Sequence, residues 1–193
     1  MVLEDQKTIF VHIPKCAGTS IESLFYANAI DKDVPGKHLT FSEYKQKEKF
    51  KNFSYFTFVR NPWDRAVSYF YYRKKRNFDL FGYPSFDDWI AFYCSEDVHE
   101  YKNSHNQFWR ACLTQKDFIS KEDGVMVSTI GKTEFLPDAW NDIKCLFGIQ
   151  VTSELPHVNR TTHISYRDHY NDETRKIIEK KFLVDIDTFK YTF

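Results

Sequence analysis

The run FVHIPKCAGTS, Phe10 to Ser20, gathers a lysine, one glycine and two hydroxyls just after a proline. Those are residue types that hold a phosphate. Lys15 brings a full positive charge, Thr19 and Ser20 bring hydroxyl donors, and Gly18 lets the backbone come close to a ligand. A helix starting there would add unpaired N–H groups and the positive end of its dipole, a ready anion site. The run is not a triphosphate loop. The GxxxxGK[ST] pattern puts lysine after its second glycine, whereas Lys15 comes three residues before the one glycine here. Alone, the run also fits an ordinary helix start beside a surface lysine.

A second run, FVRNPWDRAVSYF, covers Phe58 to Phe70. Arg60 closes an apolar stretch, so its guanidinium can reach past a sheet edge and grip a phosphate with two parallel hydrogen bonds. Ser68 lies about two helical turns further on and can add a hydroxyl. The plainer alternative pairs Arg60 with Asp64 and leaves Ser68 a helical serine.

Strands and helices must position both runs. TIFVHI, Thr8 to Ile13, reads as a short buried strand. Gly18 to Ala29 carries Ile21, Leu24, Phe25 and Ala29 at helical spacing, with Thr19 and Glu22 as a capping box. Thr40 and Glu43 repeat that signature ahead of a short helix reaching about Phe50. SYFTFV, Ser54 to Val59, is a strand rich in aromatic and β-branched residues. Pro62 then stands where helices favour proline, and a helix is expected to about Lys75. Ser85 and Asp88 cap a helix to Cys94. VMVSTI, Val125 to Ile130, reads as a third strand, and Glu134 to Phe147 as a helix stopped by Gly148. Glu154 to Tyr170 reads as a loop, Asp172 to Phe182 as a last helix, and an aromatic tail follows. Strands alternating with helices predict an α/β fold: a three-layer α/β/α arrangement on a central parallel sheet. Ligands of such sheets sit at the carboxyl ends of the strands, where Lys15 and Arg60 both fall.

Composition narrows the function. Lys and Arg number 27 and Asp and Glu 27, a net charge of zero. A protein that coats nucleic acid would be strongly basic, so no nucleic-acid partner is expected and any anion site must be local. Cys16, Cys94, Cys112 and Cys145 show no metal-like spacing. They read as reduced thiols of a cytoplasmic protein. No signal-like or membrane-spanning run is seen, so no integral membrane segment is expected. The N-x-[ST] matches at Asn52 and Asn159 are then chance. The chain reads as one domain, 1–193. Aromatic residues make up 18%, enough to fill a core or line a pocket, and they crowd the irregular segment from Phe78 to Gln115.

Taken together, in order and about 40 residues apart, the two runs resemble the motifs of sulfotransferases that use 3′-phosphoadenosine 5′-phosphosulfate (PAPS). The resemblance is closest to the group containing Golgi carbohydrate sulfotransferases and small bacterial enzymes. IPKCAGTS matches that family's IPKTAGTS loop, which holds the 5′-phosphosulfate, with Cys16 at the variable position. Arg60, Asn61, Pro62, Arg65, Ser68 and Tyr69 match its RNPxxRxxSxY motif, which holds the 3′-phosphate. STIGKTEFLPDAW and the ending from Leu155 also look similar. The resemblance implies a P-loop NTPase-like fold and transfer of a sulfuryl group from PAPS, without a metal, to a hydroxyl or amine of an acceptor, with a carbohydrate as the acceptor the family suggests. It implies a cofactor site of Lys15, Cys16, Ala17, Gly18, Thr19, Ser20, Arg60 and Ser68, with Arg160 in a later loop as an added cation.

Such a transfer needs positive charge at the leaving oxygen, which suits Lys15, and a base for the acceptor proton. His12 lies in a buried strand and reads as packing. His38, in GKHLTFSEY between the two motifs, stands where relatives carry a catalytic histidine in an H-x-x-F setting, and is the expected base. His105, in NSHNQFW, is the second candidate. The segment 78–121 is expected to shape the acceptor site, with Phe81, Tyr83, Trp89, Tyr93 and Trp109 as its walls, for a small-molecule or glycan acceptor. Two other classes remain open on sequence: a P-loop-like kinase, which lacks its lysine and an obvious metal-binding aspartate, and a nucleotide-binding scaffold that has kept the fold.

Overall fold

A computed structural model of the chain describes residues 1–26, 37–75, 82, 85–96, 108–120, 124, 126–151, 153–155 and 165–193. These fall into two compact units, Met1–Arg60 with Asp117–Arg160, and Asn61–Lys116 with Thr161–Phe193.

The first unit is built on a four-stranded sheet in the order β1-β2-β3-β4. The strands are β1 (Val2–Leu3), β2 (Thr8–Val11), β3 (Ser54–Val59) and β4 (Thr129–Lys132). β2, β3 and β4 are parallel, with Val11 opposite Thr57 and Val59 opposite Lys132. β1 adds an antiparallel edge that the sequence does not announce. β2 is buried throughout, as a strand covered on both faces must be. Phe10 stacks on Phe56, and Phe58 meets both edge to face; Trp140 and Phe147 of α7 (Leu136–Phe147) close over Phe56. Tyr55 points the other way, against Phe41 and Tyr44 of α2 (Phe41–Lys45). With helices on both faces of a parallel core, the expected α/β architecture holds.

Two boundaries differ from expectation. The third strand begins at Thr129 and takes in Gly131 and Lys132. The stretch ahead of it turns back instead: Met126 bridges Ser120, and the Val127 N–H donates to the Ile119 carbonyl. The helix after Gly18 is short, α1 (Gly18–Glu22), followed by turns to Phe25.

The second unit is helical: α3 (Pro62–Lys75), α4 (Phe86–Cys94), α5 (Phe108–Cys112), α8 (Asp172–Lys181) and α9 (Leu183–Phe189), with α6 (Gln115–Ile119) beginning in it. Ser85 caps α4 through the Asp88 N–H as expected, but α9 replaces part of the anticipated tail. The core joins Trp63, Tyr69, Phe70, Trp89, Tyr93, Phe108 and Phe182. Trp89 and Tyr93 are 0% and 1% exposed, so they are core residues and not walls of an acceptor site. Phe81 and Tyr83 lie outside the described residues.

Arg65 is buried at 1% in this core. Its guanidinium donates to the carbonyls of Leu113 (3.0 Å) and Ala111 (3.1 Å). Beside it Asp185, fully buried, accepts the Gln115 and Lys116 N–H groups at 2.8 and 2.9 Å and so caps α6 from a distance. Burial pushes the Asp185 carboxyl up, while those two bonds and the Arg65 charge pull against it. Arg65→Met would remove both charge-assisted bonds, leaving the Ala111 carbonyl with the Tyr93 hydroxyl alone (2.6 Å). The expected loss is about 3 kcal/mol of unfolding free energy, read from urea midpoints; a loss under about 1 kcal/mol would contradict this role.

Candidate active site

The loop after β2 is held in an uncommon shape. Lys15 has φ 67 and Ala17 φ 59, with Cys16 between them on the ordinary side. Each non-glycine residue in this left-handed region costs about 1 kcal/mol or more, so the surroundings must enforce it. Alternation of this kind curls successive N–H groups into an anion-binding concavity. The Cys16 N–H turns back to the Ile13 carbonyl (3.2 Å), and its buried thiol approaches the Pro14 carbonyl at 3.7 Å. Cys16 therefore gives the loop shape rather than a side-chain ligand. Ala17 is the N-cap of α1, followed by Gly18, Thr19 and Ser20.

Arg60 follows β3, the neighbour of β2, and its Nη1 donates to the Lys15 carbonyl at 3.2 Å. The two strand ends thus bring a guanidinium onto the loop that carries Lys15. Lys132, opposite Val59 in register, ends β4 at the same edge.

Behind the loop lies an array that the sequence does not reveal. His12, 3% exposed, uses Nδ1 on Glu22 Oε1 at 2.7 Å. Lys37 Nζ meets the other carboxylate oxygen, Oε2, at 3.4 Å. Glu22 was expected to close a capping box with Thr19. Instead Ala17 is the N-cap, without a side-chain cap, because the carboxylate finds stronger partners across the loop. The His12 carbonyl accepts from His38 Nδ1 at 2.9 Å, and the two rings meet edge to face with centroids 4.4 Å apart. A carbonyl only accepts, so His38 carries its proton on Nδ1 and its basic lone pair on Nε2. The His12 ring also covers Gly18: a Cβ there would fall 1.9 Å from His12 Nε2. His12 does pack, as expected, but it also orients two other residues.

Burial pushes His12 below its ordinary 6.5, and Glu22 offsets only part of this. Burial would raise Glu22, but the His12 hydrogen bond and the nearby positive charges, Lys37 among them, hold its carboxyl below 4.5. At neutral pH the pair is therefore a neutral imidazole donating to a carboxylate.

The second motif divides by role. Asn61 accepts the Trp63 and Asp64 N–H groups through Oδ1, capping α3, and donates to the Thr192 carbonyl (2.9 Å) and Tyr166 hydroxyl (3.3 Å). Pro62 is the first residue of α3. Asn61, Pro62 and Arg65 thus build the second unit. Ser68 is 8% exposed on α3. His105 and Arg160 lie outside the described residues. Among those described, no group of three His, Cys, Asp or Glu is placed to hold a metal ion, and no helix is long and apolar enough to cross a membrane.

Fold and loop define an α/β protein whose β2 and β3 end in a loop of alternating left-handed residues and an arginine bonded to it, at the carboxyl edge of the sheet. The sulfotransferase family model matches residues 1–192, so the chain belongs to that family and is a sulfuryl transferase. Searches of curated proteins and of solved structures returned no match.

Gly18→Ala would drive a methyl group into an imidazole pinned by Glu22. Overpacking of this kind costs about 2 kcal/mol, and the cost should vanish in a His12→Ala background; an equal cost in both backgrounds would contradict the contact. The array should also be acid-labile. The unfolded chain protonates His12 near 6.5 and the folded one only lower, so its contribution is lost as pH falls through 6.5. Glu22 acts in the same direction, its contribution being present above 4.5 and lost as pH falls toward the lower folded value. The stability difference between wild type and His12→Asn should therefore narrow from pH 7 to pH 5. A constant difference would contradict a neutral buried His12.

Proposed function

We propose that this sulfotransferase takes its sulfuryl group from PAPS, bound through Lys15 to Ser20, Arg60, Ser68 and Arg160, and passes it to a hydroxyl or amine of a small-molecule or glycan acceptor with His38 as general base. The observation that carries the reading is the Arg60 hydrogen bond to the Lys15 carbonyl. It joins, at one sheet edge, a lysine, a guanidinium, two hydroxyls and a loop curled to present N–H groups. That donor set fits an anionic ligand such as a phosphosulfate.

PAPS supplies an activated sulfuryl group on a phosphosulfate linkage. The loop holds that end in line with the acceptor, which converts an encounter into an intramolecular step. His38 Nε2 accepts the acceptor proton as the new O–S (or N–S) bond forms. Lys15 neutralises the charge gathering on the phosphate oxygen as its bond to sulfur breaks. The products are a sulfated acceptor and adenosine 3′,5′-bisphosphate. Arg60 and Ser68 hold the 3′-phosphate, a role carried by their place in the second motif. Support for His38 comes from its Nδ1–H bond to the His12 carbonyl, which leaves Nε2 as the basic nitrogen. His105 is the second candidate for the base.

A screen with labelled PAPS across glycans, phenols, sterols and small alcohols should find an acceptor. His38→Ala should then lower kcat by roughly 10²–10⁴ without changing affinity for adenosine 3′,5′-bisphosphate. Arg60→Ala should weaken that affinity by roughly tenfold to a hundredfold. Near-normal turnover in His38→Ala would end the base assignment.

A further inference from the structure

The sulfuryl-transfer reading uses the loop and His38 but assigns nothing to Glu22, a carboxylate buried at 6% exposure behind them. Burying a carboxylate is costly unless it is paired and hydrogen-bonded. Glu22 meets that condition with one partner per oxygen, His12 at Oε1 and Lys37 at Oε2. Both partners lead to the same place. Lys37 is the chain neighbour of His38. His12 holds His38 Nδ1 through its carbonyl and lies edge-on to the His38 ring.

We infer that Glu22 is a positioning residue: its carboxylate fixes His12 and Lys37, and through them holds His38 with the proton on Nδ1 and Nε2 turned to the reaction. The inference rests on His38 being the base. The geometry gives it a further consequence. α1 starts in the loop residues Gly18, Thr19 and Ser20 and ends at Glu22. One short helix therefore ties the donor-binding loop to the base. The His12 ring, clamped between Glu22 and the Gly18 backbone, sets the spacing between them. Without the carboxylate's charge, the ion pair from Lys37 to Glu22 is lost and one hold on the chain beside His38 weakens.

Glu22→Gln keeps the shape and removes the charge. Ring ¹⁵N spectra of the full chain should show wild-type His38 as one neutral tautomer, protonated at Nδ1. In Glu22→Gln they should show exchange-averaged nitrogens. With PAPS and the best acceptor from the screen, kcat should fall about tenfold, a part of the 10²–10⁴ that a base contributes. Affinity for adenosine 3′,5′-bisphosphate should stay unchanged. In a His38→Ala background the Glu22→Gln effect should disappear, because coupled residues are not additive. Lys37→Met, which breaks one arm and leaves the other, should move the spectrum and kcat in the same direction by less, and serves if Glu22→Gln does not fold. An unaltered His38 spectrum, or an equal loss of turnover with and without His38, overturns the positioning role and leaves the sulfotransferase reading intact. Normal turnover in His38→Ala removes the base assignment instead, and the spectrum still decides whether Glu22 holds the ring.

Discussion

The candidate site depends on the absence of a side chain at residue 18. The space a Cβ would take there is filled by the His12 imidazole. With the ring occupying that space, its Nδ1 reaches Glu22 on the next turn of chain, and the His12 carbonyl reaches His38. One close approach thus couples the end of β2, the phosphate-type loop, α1 and the segment carrying the base. The glycine's value is this packing as much as room for a ligand.

Charge follows the same economy in each unit. The chain is neutral overall, and its buried ions are placed in small satisfied groups. In the first unit Glu22 stands between His12 and Lys37. In the second, Arg65 spends its donors on the Ala111 and Leu113 carbonyls while Asp185 takes the first N–H groups of α6. Low dielectric makes such groups costly to break, so they fix the positions of the loops they hold. Lys15 and Arg60, by contrast, stand half-buried at the sheet edge, where a charged ligand can be met.

Local physics was legible in the sequence. The Thr40–Glu43 capping box forms with both arms, Ser85 caps α4, and Gly148 ends α7 in the left-handed region. Ser54 to Val59 is a strand with the bounds its residues imply. The pairing of the Lys15 and Arg60 loops followed from parallel strand order. What was not legible depends on residues distant in sequence. Thr19 and Glu22 carry the same signature as Thr40 and Glu43, yet Glu22 is claimed by His12 and Lys37. Met126 satisfies a strand pattern, yet its bridge is to Ser120. The aromatic surplus at Trp89 and Tyr93 could fill a core or line a pocket, and only three-dimensional packing decides for the core. The histidine array gains meaning from neighbours that no local pattern names.

The central claim is that one loop and one guanidinium at the edge of a parallel sheet recognise a doubly phosphorylated nucleotide through fixed positive and N–H donors. Calorimetric titration of the full chain with adenosine 3′,5′-bisphosphate in the presence of EDTA tests it directly. The account predicts saturable one-to-one binding that added magnesium leaves unchanged, and no comparable binding of magnesium-ATP. Absence of heat with the bisphosphate, or binding confined to magnesium-ATP, would contradict it.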